Sequence, residues 1–130
     1  MRQDGTAVAH PGDRPVVDET VIEQLASITD GQGLSVLGEL LNAFLGAVPD
    51  RLEALDRAVA DEDLQAVADQ AHSLTGSAAS FGARGMADLC RQLRTVAGTG
   101  DIDAARRLVD ALGAEFIQVS AWLVSFRSRA

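Results

Sequence analysis

Lysine is missing from this 130-residue chain, and all eleven basic residues are arginine. Any cation at a functional site is therefore a guanidinium. Acidic residues outnumber basic ones, for a formal net charge of −8. That balance argues against a nucleic-acid backbone or an anionic membrane surface as partner. Cysteine occurs once, as Cys90, which excludes an internal disulfide and fits a reducing compartment. Aromatic residues make up only 4% while hydrophobic residues reach 47%, so Ala, Leu, Val and Ile must build the core. A mixture rich in Ala and Leu favours helix. No run approaches membrane-spanning length, and the opening "MRQDGTAVAHPGDRP" has no apolar signal core. The expectation is a soluble, cytoplasmic protein. Internal repeats, low-complexity tracts and strand-like alternation are all missing, and the length suits one domain.

What is present is helical periodicity. Residues 1–15 carry Gly, Pro, Asp and Arg without a pattern and are expected to be a disordered lead-in, with 16–130 as the folded domain. Asp18 can cap a short helix with the stripe Val21, Ile22, Leu25 and Ile28, and "DGQG" (30–33) ends it. A long helix follows from about Leu34 to Ala60, in which Pro49 should kink rather than stop the chain, because the apolar stripe resumes in phase. "DED" (61–63) is expected to supply a turn and an acidic first turn for the third helix, which runs to about Phe81 where Gly82 offers a stop. A fourth helix spans Ala83 to Ala97, "GTGD" (98–101) turns with Asp101 as cap, and a last helix carries Ile102 to Phe126. Short connections make the four longer helices antiparallel neighbours. The predicted fold is all-α, an antiparallel up-down four-helix bundle with a short additional N-terminal helix.

His72 is the one histidine within these helices, since His10 lies in the lead-in. On the third helix Leu64, Val67, Ala71, Leu74 and Ala78 point to the core, and His72 falls roughly 100° from Ala71, on the shoulder. Its stripe holds Gln65, Ala68, Asp69, Gly76 and Ala79. Helical side chains lean toward the N-terminus, so a side chain at 76 would lie over position 72. Glycine leaves that space open at a cost of about 1 kcal/mol of helix propensity. Such clearance suits an imidazole that a large molecule must approach closely. Cys90 reads as a packing residue, three and four positions from Leu93 and Met86. "GQG" and "GTG" read as turns rather than phosphate loops, and "DED" and "DID" lack the glycine and closing glutamate of a calcium loop. No metal site is expected.

The stretch "AHSLTGSAASFGARGMADLCRQLR" (71–94) resembles the signature of histidine-containing phosphotransfer (HPt) domains, which runs Ala-His-x-Leu-Lys-Gly, then Gly-Ala, then a leucine-rich helix. "VDETVIEQL" (17–25), "LLNAFLGAVPDRLEALDRAVADEDLQAV" (40–67) and "GDIDAARRLVDAL" (100–112) resemble the family's flanking helices, so the likeness covers about residues 16 to 127. The resemblance implies a four-helix bundle and a phosphoryl carrier in a two-component phosphorelay, with His72 as phosphoacceptor. Its partners would be the receiver domain of a sensor histidine kinase and that of a response regulator, with no nucleic acid or membrane, and the carrier would be a monomer. It would need no cofactor of its own, because the receiver brings an acid pocket and Mg²⁺. It would not be an enzyme in its own right, and no nucleotide-binding segment for a kinase is present.

This sequence departs from the family pattern at Thr75, where the family has lysine. A threonine offers only a hydroxyl in place of the ammonium, and an exposed charge pairing is worth about 0.2–1 kcal/mol. The antiparallel fourth helix brings positions 91–94 level with His72; Arg94 is the first candidate for compensation, Gln92 flanks the same inward stripe, and Arg91 points out. Gln65, Ala68, Asp69 and Ala79 are the expected partner-facing residues, beside Gly76. Two alternatives stand next to the carrier reading: a bundle of the same fold that docks receivers without being phosphorylated, and an unrelated helical bundle with chemistry at Cys90 and His72.

Overall fold

The computed structural model describes residues 16–28 and 33–129; the lead-in expected over 1–15 lies outside them. Five helices follow one another, α1 Glu19–Ile28, α2 Gly33–Ala60, α3 Leu64–Ser80, α4 Arg84–Thr99 and α5 Ile102–Arg129, and no strand occurs among the described residues. Neighbours pack in the cyclic order α2, α3, α4, α5 and back to α2, as an antiparallel up-down bundle, with α1 laid against α2. Pro49 sits inside α2 without ending it.

Asp18 and Asp101 cap their helices as expected, and Asp63 caps α3, where the expectation is of acidic residues in the first turn. Asp18 accepts from the Thr20 amide (3.0 Å), Asp63 from Ala66 (3.1 Å) and Asp101 from Ala104 (3.0 Å). Each such cap contributes about 1 kcal/mol. The acidic "DED" stretch precedes α3 rather than forming its first turn. α4 runs on past Ala97 to Thr99, so Gly98 is helical, and Gly100 at φ +82° makes the left-handed stop.

The core contains Leu41, Leu55, Val67, Leu74, Met86, Leu93, Leu112 and Leu123, all nearly inaccessible. Alanines at 71, 78, 83 and 87 fill the seam between α3 and α4 and let these two helices lie close. Phe44 of α2 packs on Phe81 (ring centroids 4.7 Å) and on Phe116 of α5 (6.3 Å). The 28-residue helices α2 and α5 outrun the shorter pair α3 and α4, of 17 and 16 residues, at the end where Phe81 closes α3.

At that end the residue before α1 is held to the α3–α4 turn. The Asp18 amide donates to the Gly82 carbonyl (2.8 Å), and the Asp18 carboxylate pairs with Arg84 (2.6 Å). Gly82 has φ +73°, and a Cβ there would stand 2.9 Å from the Asp18 carbonyl oxygen and 3.1 Å from Val21 Cβ. Gly82 is thus more than a helix stop: it is the surface on which the start of α1 rests.

One expectation needs correction. Ile102–Phe126 on α5 is long and apolar enough, by length and composition alone, to cross a membrane. In the bundle Ala105, Val109, Leu112, Val119 and Leu123 of this helix are buried, while Ile117 and Val124 stay exposed. The expectation of no such run failed because buried and outward apolar residues share one helix with few charges.

Candidate functional site

Along α3 the inward residues are Val67, Ala71, Leu74 and Ala78, as the periodicity requires. Two side-chain contacts fix which flank of α3 meets which neighbour. Gln70 accepts from Arg51 of α2 (3.3 Å), whereas Thr75 lies against Cys90 of α4. His72 is about 60° from Thr75 around the helix and lies on the α4 side, at the outer shoulder. It is exposed, and among the described residues it makes no hydrogen bond or ion pair.

The surroundings of the imidazole are open. Gly76 has ordinary helical backbone, and a Cβ added there would meet nothing within 4 Å. No contact inside the bundle therefore requires glycine at this position. Ala79 is exposed and Ala68 half-buried on the same flank. Gln65 and Asp69 are exposed too, but bonded to each other, with the Gln65 amide donating to the Asp69 carboxylate (3.0 Å). Three of the four hydroxyls of α3 turn to its own backbone: Thr75 donates to the Ala71 carbonyl (2.8 Å), Ser77 to the Ser73 carbonyl (3.4 Å) and Ser80 to the Gly76 carbonyl (2.9 Å).

Thr75 consequently faces inward, with its hydroxyl engaged between the Ala71 carbonyl and the Cys90 sulfur. This replaces the expectation of a hydroxyl free to serve His72. The signal was present in the sequence, because Thr75 is one turn beyond buried Ala71. Burial pushes the Cys90 thiol up from 9.0 to about 11, against smaller opposing pulls from Arg91 and the Thr75 hydrogen bond. Cys90 is fully enclosed, so the alternative of thiol chemistry with His72 has no exposed sulfur to use. Two steps of pKa reduce the thiolate fraction about 100-fold near neutral pH. Native protein should therefore react with iodoacetamide at least that much more slowly than the denatured chain. The sign for stability follows: below pH 9 the thiol is protonated in both states. Above it the unfolded thiol ionises first, so stability should fall between pH 9 and about 11 in denaturant titrations.

On α4 the same contacts separate the two residues expected to support His72. Gly85 rests on the carboxylate of Glu115 from α5, so its stripe faces α5. Gln92, seven residues on, shares that stripe and lies about 160° from Cys90. It belongs to the α5 flank, away from His72, because a step of two residues crosses the helix. Arg94 is only about 40° from Cys90 and stands on the shoulder beside α3. Counting back from Thr75 and forward from Cys90, His72 and Arg94 lie about 4.5 and 6 Å along the same direction, hence nearly level. Arg91 is exposed and paired with Asp88 (2.8 Å). Sequence reading missed the Asp18–Gly82–Arg84 clasp, which joins positions 66 residues apart and leaves no local signal. Among the described residues no group of three or more His, Cys, Asp or Glu could hold a metal ion.

The Hpt domain family model matches residues 39–122, a span that includes the exposed histidine of α3, the glycine one turn on and the antiparallel helix α4. The chain belongs to the Hpt domain family. The histidine-containing phosphotransfer protein B (HptB) from Pseudomonas aeruginosa PAO1 has a similar crystal structure, with a TM-score of 0.80 and 28% sequence identity. The likeness covers 89% of this chain and 97% of that one. No curated protein sequence matches. As an Hpt domain, the chain is a histidine phosphotransfer module of a phosphorelay, and the bundle just described is the Hpt fold. An unrelated helical bundle is thereby excluded.

Proposed function

We propose that His72 is the phosphoacceptor of this Hpt domain, and that the folded unit over 16–130 carries a phosphoryl group between receiver domains. One receiver would belong to a sensor histidine kinase and the other to a response regulator, in the cytoplasm. The observation that carries the assignment is the open imidazole: exposed, without a partner, and next to a glycine that the packing does not need.

The chemistry balances without a base on this chain. A lone pair on one ring nitrogen attacks the phosphorus of an aspartyl phosphate. The N–P bond forms as the acyl P–O bond breaks, and the aspartate carboxylate leaves with the electron pair. The other ring nitrogen keeps its proton, so the ring carries the positive charge. Phosphoryl transfer is largely positioning and charge stabilisation, and the receiver's acid pocket and Mg²⁺ supply most of both. The carrier then acts as a substrate of its partners rather than as an enzyme, and works as a monomer.

Gln65, Ala68, Asp69, Gly76 and Ala79 form the docking surface around His72, joined by α1. The transient nature of the encounter suits an interface below about 1,200 Å². Gly76→Ala should stabilise the bundle by up to about 1 kcal/mol, since the added methyl meets nothing. Gly76→Gln should fold normally yet accept phosphoryl groups at least tenfold more slowly, because its side chain lies back over position 72. Normal transfer to Gly76→Gln would sink the clearance argument. The decisive assay incubates the protein with a phosphorylated receiver domain and looks for acid-labile, alkali-stable label on His72. Tight receiver binding without label would instead favour a docking module that is never phosphorylated.

A further inference from the structure

Modification of His72 places a phosphoryl group bearing about two negative charges on a chain already at −8. α3 itself carries no basic residue to meet them, and its Asp69 adds an acidic group on the same flank. Any cation from this chain must come from another helix.

The arginines of the neighbouring helices are mostly engaged. On α2, Arg51 donates to Gln70, on the flank of α3 away from His72, and Arg57 pairs with Glu53 (3.1 Å). On α4, Arg84 pairs with Asp18 and Arg91 with Asp88. On α5, Arg106 pairs with Asp103 (3.2 Å), and Arg107 sits on a helix diagonal to α3 in the bundle. Arg94 is exposed and makes no hydrogen bond or ion pair among the described residues. It is also the arginine that the Thr75–Cys90 register brings level with His72, on the shoulder of α4 beside α3.

From this convergence we infer that Arg94 receives the phosphoryl oxygens once His72 is modified, an inference that rests on His72 being the acceptor. The guanidinium is uncommitted in the unmodified protein, so no existing ion pair has to break. Its fork of N–H donors matches a phosphoryl face. Because the contact is exposed, its effect is moderate and falls with salt. It acts on the modified state: it slows loss of the phosphoryl group and biases the exchange equilibrium toward the carrier.

The test uses phosphoramidate, a small phosphoryl donor whose N–P bond breaks with release of ammonia as the imidazole N–P bond forms. No partner protein is needed. Wild type, Arg94→Ala, Arg94→Lys and Arg91→Ala are labelled and followed by ³¹P NMR. Arg94→Ala should shorten the lifetime of the phosphohistidine about two- to fivefold at low salt, and raise the pH at which its phosphoryl group takes up a proton. Arg94→Lys should keep most of the wild-type behaviour, and Arg91→Ala all of it. Wild-type lifetime and titration in Arg94→Ala would overturn the inference, as would an equal change in Arg91→Ala. No label on His72 in wild type would instead overturn the acceptor assignment itself.

Discussion

His72→Gln is expected to fold as the wild type does and to take up no phosphoryl group from a phosphorylated receiver. Glutamine keeps a polar side chain at an exposed position where the imidazole has no bond to lose. A surface change of this kind moves stability by less than about 0.5 kcal/mol. What disappears is the ring nitrogen lone pair, and no nearby group can substitute. Thr75 already donates to the Ala71 carbonyl, and Cys90 is enclosed with its thiol pushed up to about 11. The result to look for is an unchanged thermal melt together with label below one part in a hundred of wild type. Alkali-stable label on the His72→Gln protein would place the acceptor elsewhere.

The second large effect lies at the far end of the same helix hairpin. Gly82→Ala should destabilise the domain by about 2–3 kcal/mol. Its backbone is left-handed at φ +73°, and the new methyl would meet the Asp18 carbonyl at 2.9 Å, with Val21 Cβ and Asp18 Cβ at 3.1 and 3.2 Å. Those are backbone and stem atoms, so relief means lifting the start of α1 rather than turning a flexible side chain. Hydrogen exchange should show the Asp18 amide and the first turn of α1 losing protection while the α3–α4 seam keeps its own. Gly76→Ala is the matched control, with the opposite sign. If both variants melt at the wild-type temperature, the two glycines are equivalent and the account of the α1 clasp fails.

The helices were legible because their causes are local. A core of Ala, Leu, Val and Ile at spacings of three and four, capped by Asp18, Asp63 and Asp101, needs little long-range information. His72 was legible for a related reason: one periodic stripe sets both the buried face and the shoulder next to it. The end of α4 was misjudged by two residues, because Gly98 and Gly100 are alike in sequence and only one takes the left-handed backbone.

The remainder depended on how helices face one another. From composition and periodicity come the all-helical class, the up-down order and the position of one exposed imidazole beside a bare glycine. The packed bundle decided that Thr75 turns to Cys90, that Gln92 faces α5 while Arg94 stands beside α3, and that Gly82 carries the start of α1. A helical wheel orders residues around one axis, but the direction of the neighbouring axis is set only when side chains from distant positions compete for the same space.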